Sequence, residues 1–302
     1  YMTGLKLLAD RVDKQTMSRA TAGHAASIGI SGAMSFMIGE ALAVHAGWQA
    51  AFGFAAVSAA IALIMITVLI PWQGAPPTPR KSTQKLFDFR PVFRNRSAMA
   101  YAFVYAMHTL EMSALRGWGV AFLGYVALQT GGASAIVSPA ALVTLLALIG
   151  TAASVGGNEA AIRFGRRRLV QTAIWASICL ALLTGLLGPL SYYLAAGLLL
   201  AYGFVVWLDS SSLTAGAAGT AEPERRGATL AVHSMLGYSG GFVGPLLVGW
   251  ILDLSGGMGR WSWFMAFGVI AMCMLTASIV FALARPNELA GDKGMSDQET
   301  PA

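Results

Sequence analysis

Eight long apolar segments are the feature that most restricts what this chain can fold into. An α-helix needs about 20 residues to cross a hydrocarbon core about 30 Å thick, and each segment reaches roughly that length. The segments do not alternate between polar and apolar residues, which favours helices over the strands of a β-barrel. The predicted spans are 20–44, 49–70, 98–127, 134–156, 169–188, 190–216, 228–252 and 262–284.

The composition predicts an all-α integral membrane protein and excludes a soluble one. Of the 302 residues, 56% are hydrophobic and only 11% are charged, whereas soluble domains carry about 25% charged residues. The mean hydropathy is +0.63. Cys179 and Cys273 each lie inside an apolar run, so we interpret both as packing residues rather than as disulfide partners.

The basic residues predict the orientation of the chain in the membrane. Apart from Arg116 and Arg260, every lysine and arginine lies before the first span, after the last span, or in connections that share one side. Cytoplasmic segments of membrane proteins carry such an excess. We therefore expect a multi-pass protein of the plasma (inner) membrane with both termini in the cytoplasm. This distribution accounts for the net charge of +6 without a nucleic-acid partner.

One long connection divides the chain into domains. It covers residues 71–97, begins with a proline-rich stretch and ends with arginines, which is typical of a linker. We interpret it as a central cytoplasmic linker between residues 1–70, part of an N-terminal bundle, and a six-helix bundle at 98–285. Residues 286–302 would then form a polar cytoplasmic tail.

The first two spans repeat the last two. Aligning Trp48 with Trp263 also aligns the Ala-Phe-Gly string at 51–53 with the same string at 266–268, without a gap. Parallel repeats of this kind build the two halves of many secondary transporters. If the two halves match, about four further spans belong before Tyr1, which predicts an N-terminally truncated chain.

The short basic connection after the fourth span carries a motif of a known transporter family. Residues 163–167, Arg-Phe-Gly-Arg-Arg, match the end of the pattern Gly-x-x-x-Asp-Arg-x-Gly-Arg-Arg. With the two-bundle organisation and the basic linker, this resembles the major facilitator superfamily, of which the chain would contain helices 5 to 12. Asn158 stands at the Gly position and Ile162 at the Asp position, and Glu159 is the candidate to replace the missing carboxylate. The resemblance assigns the conformational-loop role to Glu159, Arg163, Gly165, Arg166 and Arg167.

A glycine-rich helix adds to the resemblance. Gly237, Gly240, Gly244 and Pro245 recur within the seventh predicted span, and the family has a glycine-rich fifth or eleventh helix. Small residues also mediate close helix contacts in any membrane bundle. We predict that these residues pack against a neighbouring helix.

Ionisable residues inside the apolar spans are the candidates for solute or proton binding. A charge near the bilayer centre costs at least about 2.5–3.5 kcal/mol, so it persists where it faces a partner or a wet cavity. Helical spacing places Tyr105, His108 and Arg116 on one face of the third span, with Glu111 at the edge of that face. For Arg116, snorkelling to lipid headgroups is the alternative to substrate binding.

The sixth span carries Asp209, and the seventh carries His233 at a similar depth. We predict a pair between these two side chains, with a purely structural polar clamp as the alternative. The resemblance implies that the third and sixth spans line the central cavity of the transporter.

The sequence lacks the motifs of several enzyme classes. It has no Gly-x-x-x-x-Gly-Lys-Ser/Thr loop, no His-Glu-x-x-His pair and no cysteine cluster. We expect no catalysis, no cofactor and no metal. The prediction is a monomeric secondary active transporter in the lipid bilayer that moves a small-molecule substrate by alternating access, coupled to protons. The alternative is a non-transporting membrane scaffold fragment that lacks half of the substrate cavity.

Overall fold

The chain folds almost entirely into helices, which confirms the all-α fold class. The computed structural model describes residues 2–13, 16–69, 88–131 and 139–292, and these ranges contain no strand. Two 3₁₀ turns, Gly188–Leu190 and Pro223–Arg225, separate longer helices. The helices are α1 (Met2–Arg11), α2 (Met17–Ala46), α3 (Trp48–Leu69), α4 (Arg90–Arg94), α5 (Arg96–Thr130), α6 (Pro139–Phe164), α7 (Arg166–Leu187), α8 (Tyr192–Leu208), α9 (Ser210–Gly219), α10 (Arg226–Leu254) and α11 (Arg260–Ala284).

Each predicted apolar span coincides with one or two of these helices. The sixth span, predicted as continuous over 190–216, is divided, because α8 ends at Leu208 and α9 begins at Ser210. The fourth predicted span begins outside the described residues, and α6 continues to Phe164. Apolar length therefore predicts where a helix runs, but it does not predict where the backbone breaks.

Six stretches of the described chain are long and apolar enough to cross a membrane. They do not include α2 or α5, and α5 carries His108, Glu111 and Arg116 among its apolar residues. The protein is thus multi-pass and helical, while the count of eight membrane helices stays a prediction. The six stretches are Trp48–Leu69, Thr144–Phe164, Arg166–Leu190, Tyr192–Gly219, Pro223–Leu254 and Arg260–Ala284.

The helices group into two compact units. The first combines Tyr1–Gly29 with Arg90–Ala302, and the second is Ile30–Phe89. The predicted domain limits at 70, 97 and 285 stay predictions, since residues 70–87 of the linker and 293–302 of the tail lie outside the described residues.

In the second unit, α3 buries none of its residues. Apolar side chains such as Phe52, Leu63 and Val68 are each more than 60% exposed. A helix that is apolar on all sides is suited to lipid or to other apolar helices rather than to water.

The first unit is built around α5, which packs closely against α10. Two glycines of α10 permit this approach. A Cβ atom on Gly240 would overlap the carbonyl oxygen of Ala106, and a Cβ atom on Gly244 would overlap that of Leu110. The backbones of the two helices are therefore in direct contact, as small residues allow in membrane bundles.

Polar contacts join the same two helices on either side of these glycines. The Thr109 hydroxyl donates to the carbonyl oxygen of Gly237 at 2.7 Å. The Trp118 indole donates to the carbonyl oxygen of Pro245 at 2.8 Å. The register between α5 and α10 is thus specified by hydrogen bonds as well as by shape.

The basic helix ends meet at one end of the first unit. At the start of α5, the Asn95 side chain donates to the carbonyl oxygen of Thr220 at 2.8 Å. Arg96 donates to the carbonyl oxygen of Leu283 at 2.5 Å. The other end of α5 packs in an aromatic group with Trp263, whose ring lies 5.1 Å from that of Phe122. The hydrogen bonds of Asn95 and Arg96 therefore lie at one end of the helices, and the aromatic group around Trp263 lies at the other.

Candidate functional site

Five of the predicted residues come together inside the first unit, and we call them the buried cluster. Four of them are ionisable and at most 2% exposed. α5 supplies three members at intervals of three residues, which places them along one side of the helix. The buried cluster consists of Tyr105, His108 and Glu111 on α5, Asp209 at the break between α8 and α9, and His233 on α10.

The closest contact between ionisable groups of the buried cluster joins His108 and Asp209. The His108 Nδ1 and Asp209 Oδ1 atoms lie 2.9 Å apart, although their angles are not those of a hydrogen bond. Asp209 occupies the position where the helical backbone is interrupted. Helix interruptions leave backbone groups unsatisfied and are common at functional positions.

The predicted pair between Asp209 and His233 is not present among the described residues. Asp209 contacts His108 instead, because α5 packs against both α9 and α10 and brings His108 to the helix break. The His233 ring stacks on the ring of Tyr105 with centroids 4.0 Å apart. Its Nε2 atom lies 3.4 Å from the Thr214 hydroxyl.

Glu111 lies one turn further along α5. One of its carboxylate oxygens, Oε1, accepts hydrogen bonds from the Ser177 hydroxyl and from the Tyr202 hydroxyl, the latter at 2.7 Å. The other oxygen, Oε2, is buried and has no hydrogen-bond partner among the described residues. The sequence pattern indicates Glu111 but not Ser177 or Tyr202, whose roles depend on how α7 and α8 pack against α5.

Arg116 does not belong to the buried cluster. Its side chain is exposed, and no described ion pair involves it. This position favours the interpretation that Arg116 snorkels to the membrane surface.

A second polar centre lies at the basic end of the first unit, around Arg166, and we call it the arginine hub. The Arg166 side chain is fully buried and forms a bidentate ion pair with Asp292, at 2.9 and 3.0 Å. It also donates to Asn158 Oδ1, to the Ser212 carbonyl oxygen and to the Ser18 hydroxyl.

The loop motif owes its geometry to Gly165. This residue joins α6 to α7 with a φ of +100°, a conformation that side-chain-bearing residues rarely adopt. The turn places the backbone N–H groups of Arg166 and Arg167 within hydrogen-bonding distance of the Glu288 carboxylate. Burial raises the pKa of the Glu288 carboxyl above its ordinary value.

Glu159 joins α6 to the start of α2. It forms an ion pair with Arg19 at 2.9 Å and a second with Arg163 at 3.1 Å. Asn158, beside it, accepts a hydrogen bond from the Ser18 hydroxyl at 2.8 Å. These contacts tie the N-terminal end of α2 to the C-terminal end of α6.

Sequence reasoning missed the acidic residues of the segment after α11. Glu288 and Asp292 belong to the predicted tail, and nothing in the local pattern marks them as partners of the loop motif. The burial of Arg166 in the structure accounts for them, since a buried guanidinium is tolerated only when it is paired. No group of His, Cys, Asp and Glu side chains within the described ranges is arranged to hold a metal ion.

The arrangement therefore combines two features: a buried cluster with two carboxylates and one paired histidine, and a polar contact network at one end of the helices.

Comparison with known proteins identifies the family of this chain. A family model described as Major Facilitator Superfamily matches residues 1–208. No curated protein matches the chain.

Proposed function

The chain belongs to the Major Facilitator Superfamily, and we propose that it is a secondary active transporter that moves a small solute by alternating access, coupled to protons. As a member of this family with several membrane-spanning helices, it is a multi-pass membrane transporter. The proposed coupling site is the buried cluster, and the plasma (inner) membrane is the proposed location.

The observation that carries proton coupling is the contact between His108 and Asp209, one helical turn from Glu111. If both carboxylates were ionised and the imidazole were neutral, the buried cluster would hold two uncompensated negative charges. Such burial costs several kcal/mol per ion. Binding of a proton or another cation removes this cost, which makes the buried cluster suited to exchange cations.

Alternating access requires contacts at one membrane side that hold in one state and break in the other. The contacts of Arg19 with Glu159 and of Ser18 with Asn158 are candidates, because they join α2 to α6 at the basic end of the first unit. The Arg19–Glu159 pair is partly exposed, and exposed ion pairs contribute little to stability. A contact of this strength can open during a transport cycle.

The test uses isosteric changes of the two carboxylates, Glu111→Gln and Asp209→Asn. Proteoliposomes that contain a pH-sensitive dye are given panels of organic amines, organic acids and sugars. We expect the unmodified chain to couple movement of one solute class to proton movement, and we expect both variants to lose this coupling. Asp253→Asn, an acid-to-amide change at an exposed position of α10, should retain it.

Two outcomes would contradict the proposal. Proton movement that is unchanged by both variants would remove the buried cluster from the mechanism. A correctly folded chain that moves none of the solutes would support the scaffold alternative.

A further inference from the structure

A small cavity lies beside Glu111. Trp118 of α5, Tyr202 of α8, and Trp263 and Phe267 of α11 contribute to its walls. Its volume is about 20 Å³, which is about the room that a single water-sized group needs. An ammonium group has this size.

Glu111 lines this cavity, and one of its carboxylate oxygens is unsatisfied. Its Oε1 atom already accepts hydrogen bonds from Ser177 and Tyr202. Its Oε2 atom is buried and has no partner in the described part of the chain. A buried acceptor without a donor is unfavourable. A hydrogen-bond donor bound in the cavity would therefore stabilise the Glu111 carboxylate.

The walls favour a positively charged donor. The faces of Trp, Tyr and Phe rings attract cations within about 6 Å, and Trp attracts them most strongly. The described lining contains no lysine or arginine that would occupy this role. An anion would be repelled by the Glu111 carboxylate. Asp209 is also close enough to interact electrostatically with Glu111. The cavity therefore selects against organic acids.

We propose that this cavity binds the ammonium head of a protonated primary amine, and that the amine and a proton compete for Glu111. The inference rests on the proposed function and deepens it, because it makes the solute an organic cation that is exchanged for a proton. The titratable groups that act on Glu111 from the surrounding helices are His108, Asp209, Tyr202 and Cys273.

The test measures binding to the purified full chain by calorimetry with n-propylammonium as the probe. 1-Propanol is the neutral control of similar shape, and tetrapropylammonium is a cation whose nitrogen has no N–H donor and cannot enter the cavity. We expect saturable binding of n-propylammonium alone, weakening as the pH falls because protons occupy the carboxylate. Binding should also release protons into a weakly buffered solution.

Two variants test separately the charge of Glu111 and the open volume of the cavity. Glu111→Gln should weaken n-propylammonium binding at least about tenfold, because a charge-assisted hydrogen bond is lost. The amide retains an oxygen for Ser177 and Tyr202, so the local fold is preserved. Ala266→Leu fills the cavity and should abolish binding with the carboxylate intact. Ala282→Leu makes the same change at an exposed position of α11 and should have no effect.

The outcomes distinguish this inference from the proposed function. Binding that is equal for n-propylammonium and 1-propanol, or unchanged in both Glu111→Gln and Ala266→Leu, overturns the inference. If another solute still drives proton movement that depends on Glu111, the proposed function stands without it. If n-propylammonium binds as described but neither binding nor transport moves protons, the cation site stands and proton coupling fails.

Discussion

At the scale of residues, Arg166 illustrates the conditions under which a charge can be buried. Its side chain is fully buried, and its three guanidinium nitrogens all donate hydrogen bonds. A buried ion pair is tolerated only with such complete pairing, and removing one partner costs about 3–5 kcal/mol. Asp292 is therefore held against the start of α7 and is not part of a freely solvated tail.

Glu288 provides a prediction about stability and pH. Burial raises the pKa of its carboxyl, and hydrogen bonds donated by the backbone N–H groups of Arg166 and Arg167 oppose this effect. With a raised pKa, the folded state binds the proton more tightly than the unfolded state. The resulting stabilisation is present below the ordinary pKa of about 4.3 and is lost as the pH rises through the folded-state pKa.

Glu288→Gln should therefore raise the melting temperature at pH 7, and the difference from the unmodified chain should shrink towards pH 4. Thermal unfolding in detergent, followed by circular dichroism at both pH values, measures this effect. Glu224→Gln, at an exposed position, should show no such pH-dependent difference. A lower melting temperature of Glu288→Gln at pH 7 would mean that the hydrogen bonds to the ionised carboxylate outweigh its burial.

At the scale of elements, the contact between α5 and α10 depends on the absence of side chains at two positions. Gly240 and Gly244 lie against backbone carbonyl groups of α5, which cannot move aside as a flexible side chain would. Gly124 of α5, in contrast, has open space where a Cβ atom would lie. The same substitution is therefore expected to have opposite effects at these positions.

Gly240→Ala and Gly244→Ala should each destabilise the protein by about 1–3 kcal/mol, the usual cost of overpacking. Gly124→Ala should be neutral or stabilising by up to about 1 kcal/mol, since alanine is the better helix former. Thermal unfolding of the three variants in the same detergent measures the difference. Equal melting temperatures would show that α5 and α10 separate easily.

The break between α8 and α9 could not be predicted from the sequence. Residues 190–216 form one apolar run, and its hydropathy is compatible with a single helix. At the break, α6 lies close against the end of α8. A Cβ atom on Gly157 of α6 would overlap the carbonyl oxygen of Leu208. The break leaves Asp209 beside His108. This is a consequence of packing between distant segments.

At the scale of the whole molecule, the segregation of charge predicts orientation. The basic helix ends meet at one end of the first unit. The other end is aromatic, with Trp118 and Trp263 in edge-to-face contact. We expect the basic end to face the cytoplasm, because cytoplasmic segments carry an excess of Lys and Arg while Trp is enriched at membrane interfaces.

Cysteine labelling checks this orientation after Cys179 and Cys273 are replaced by serine. Glu224→Cys and Met258→Cys place single thiols at exposed positions beside the two ends of α10. A membrane-impermeant maleimide should label Met258→Cys in intact cells, and Glu224→Cys only after permeabilisation. Labelling in the reverse pattern would invert the proposed topology and place the termini outside.

Much of this organisation follows from the sequence alone. The transfer energy of an apolar run and the sidedness of Lys and Arg are local properties, so they predict the helices and the all-α membrane class. The loop motif at 163–167 and the internal repeat indicate the family. The ionisable residues His108, Glu111 and Asp209 stand out because each is costly inside an apolar span.

Only the tertiary structure decided which of these side chains meet. His108 rather than His233 contacts Asp209, Tyr202 contacts Glu111, and Asp292 contacts Arg166. Such pairings depend on the rotation and register of each helix against its neighbours. Packing between distant segments sets this rotation and register. Hydropathy and spacing along one helix indicate whether that helix is stable in the membrane, but they do not indicate which side chains of other helices it contacts.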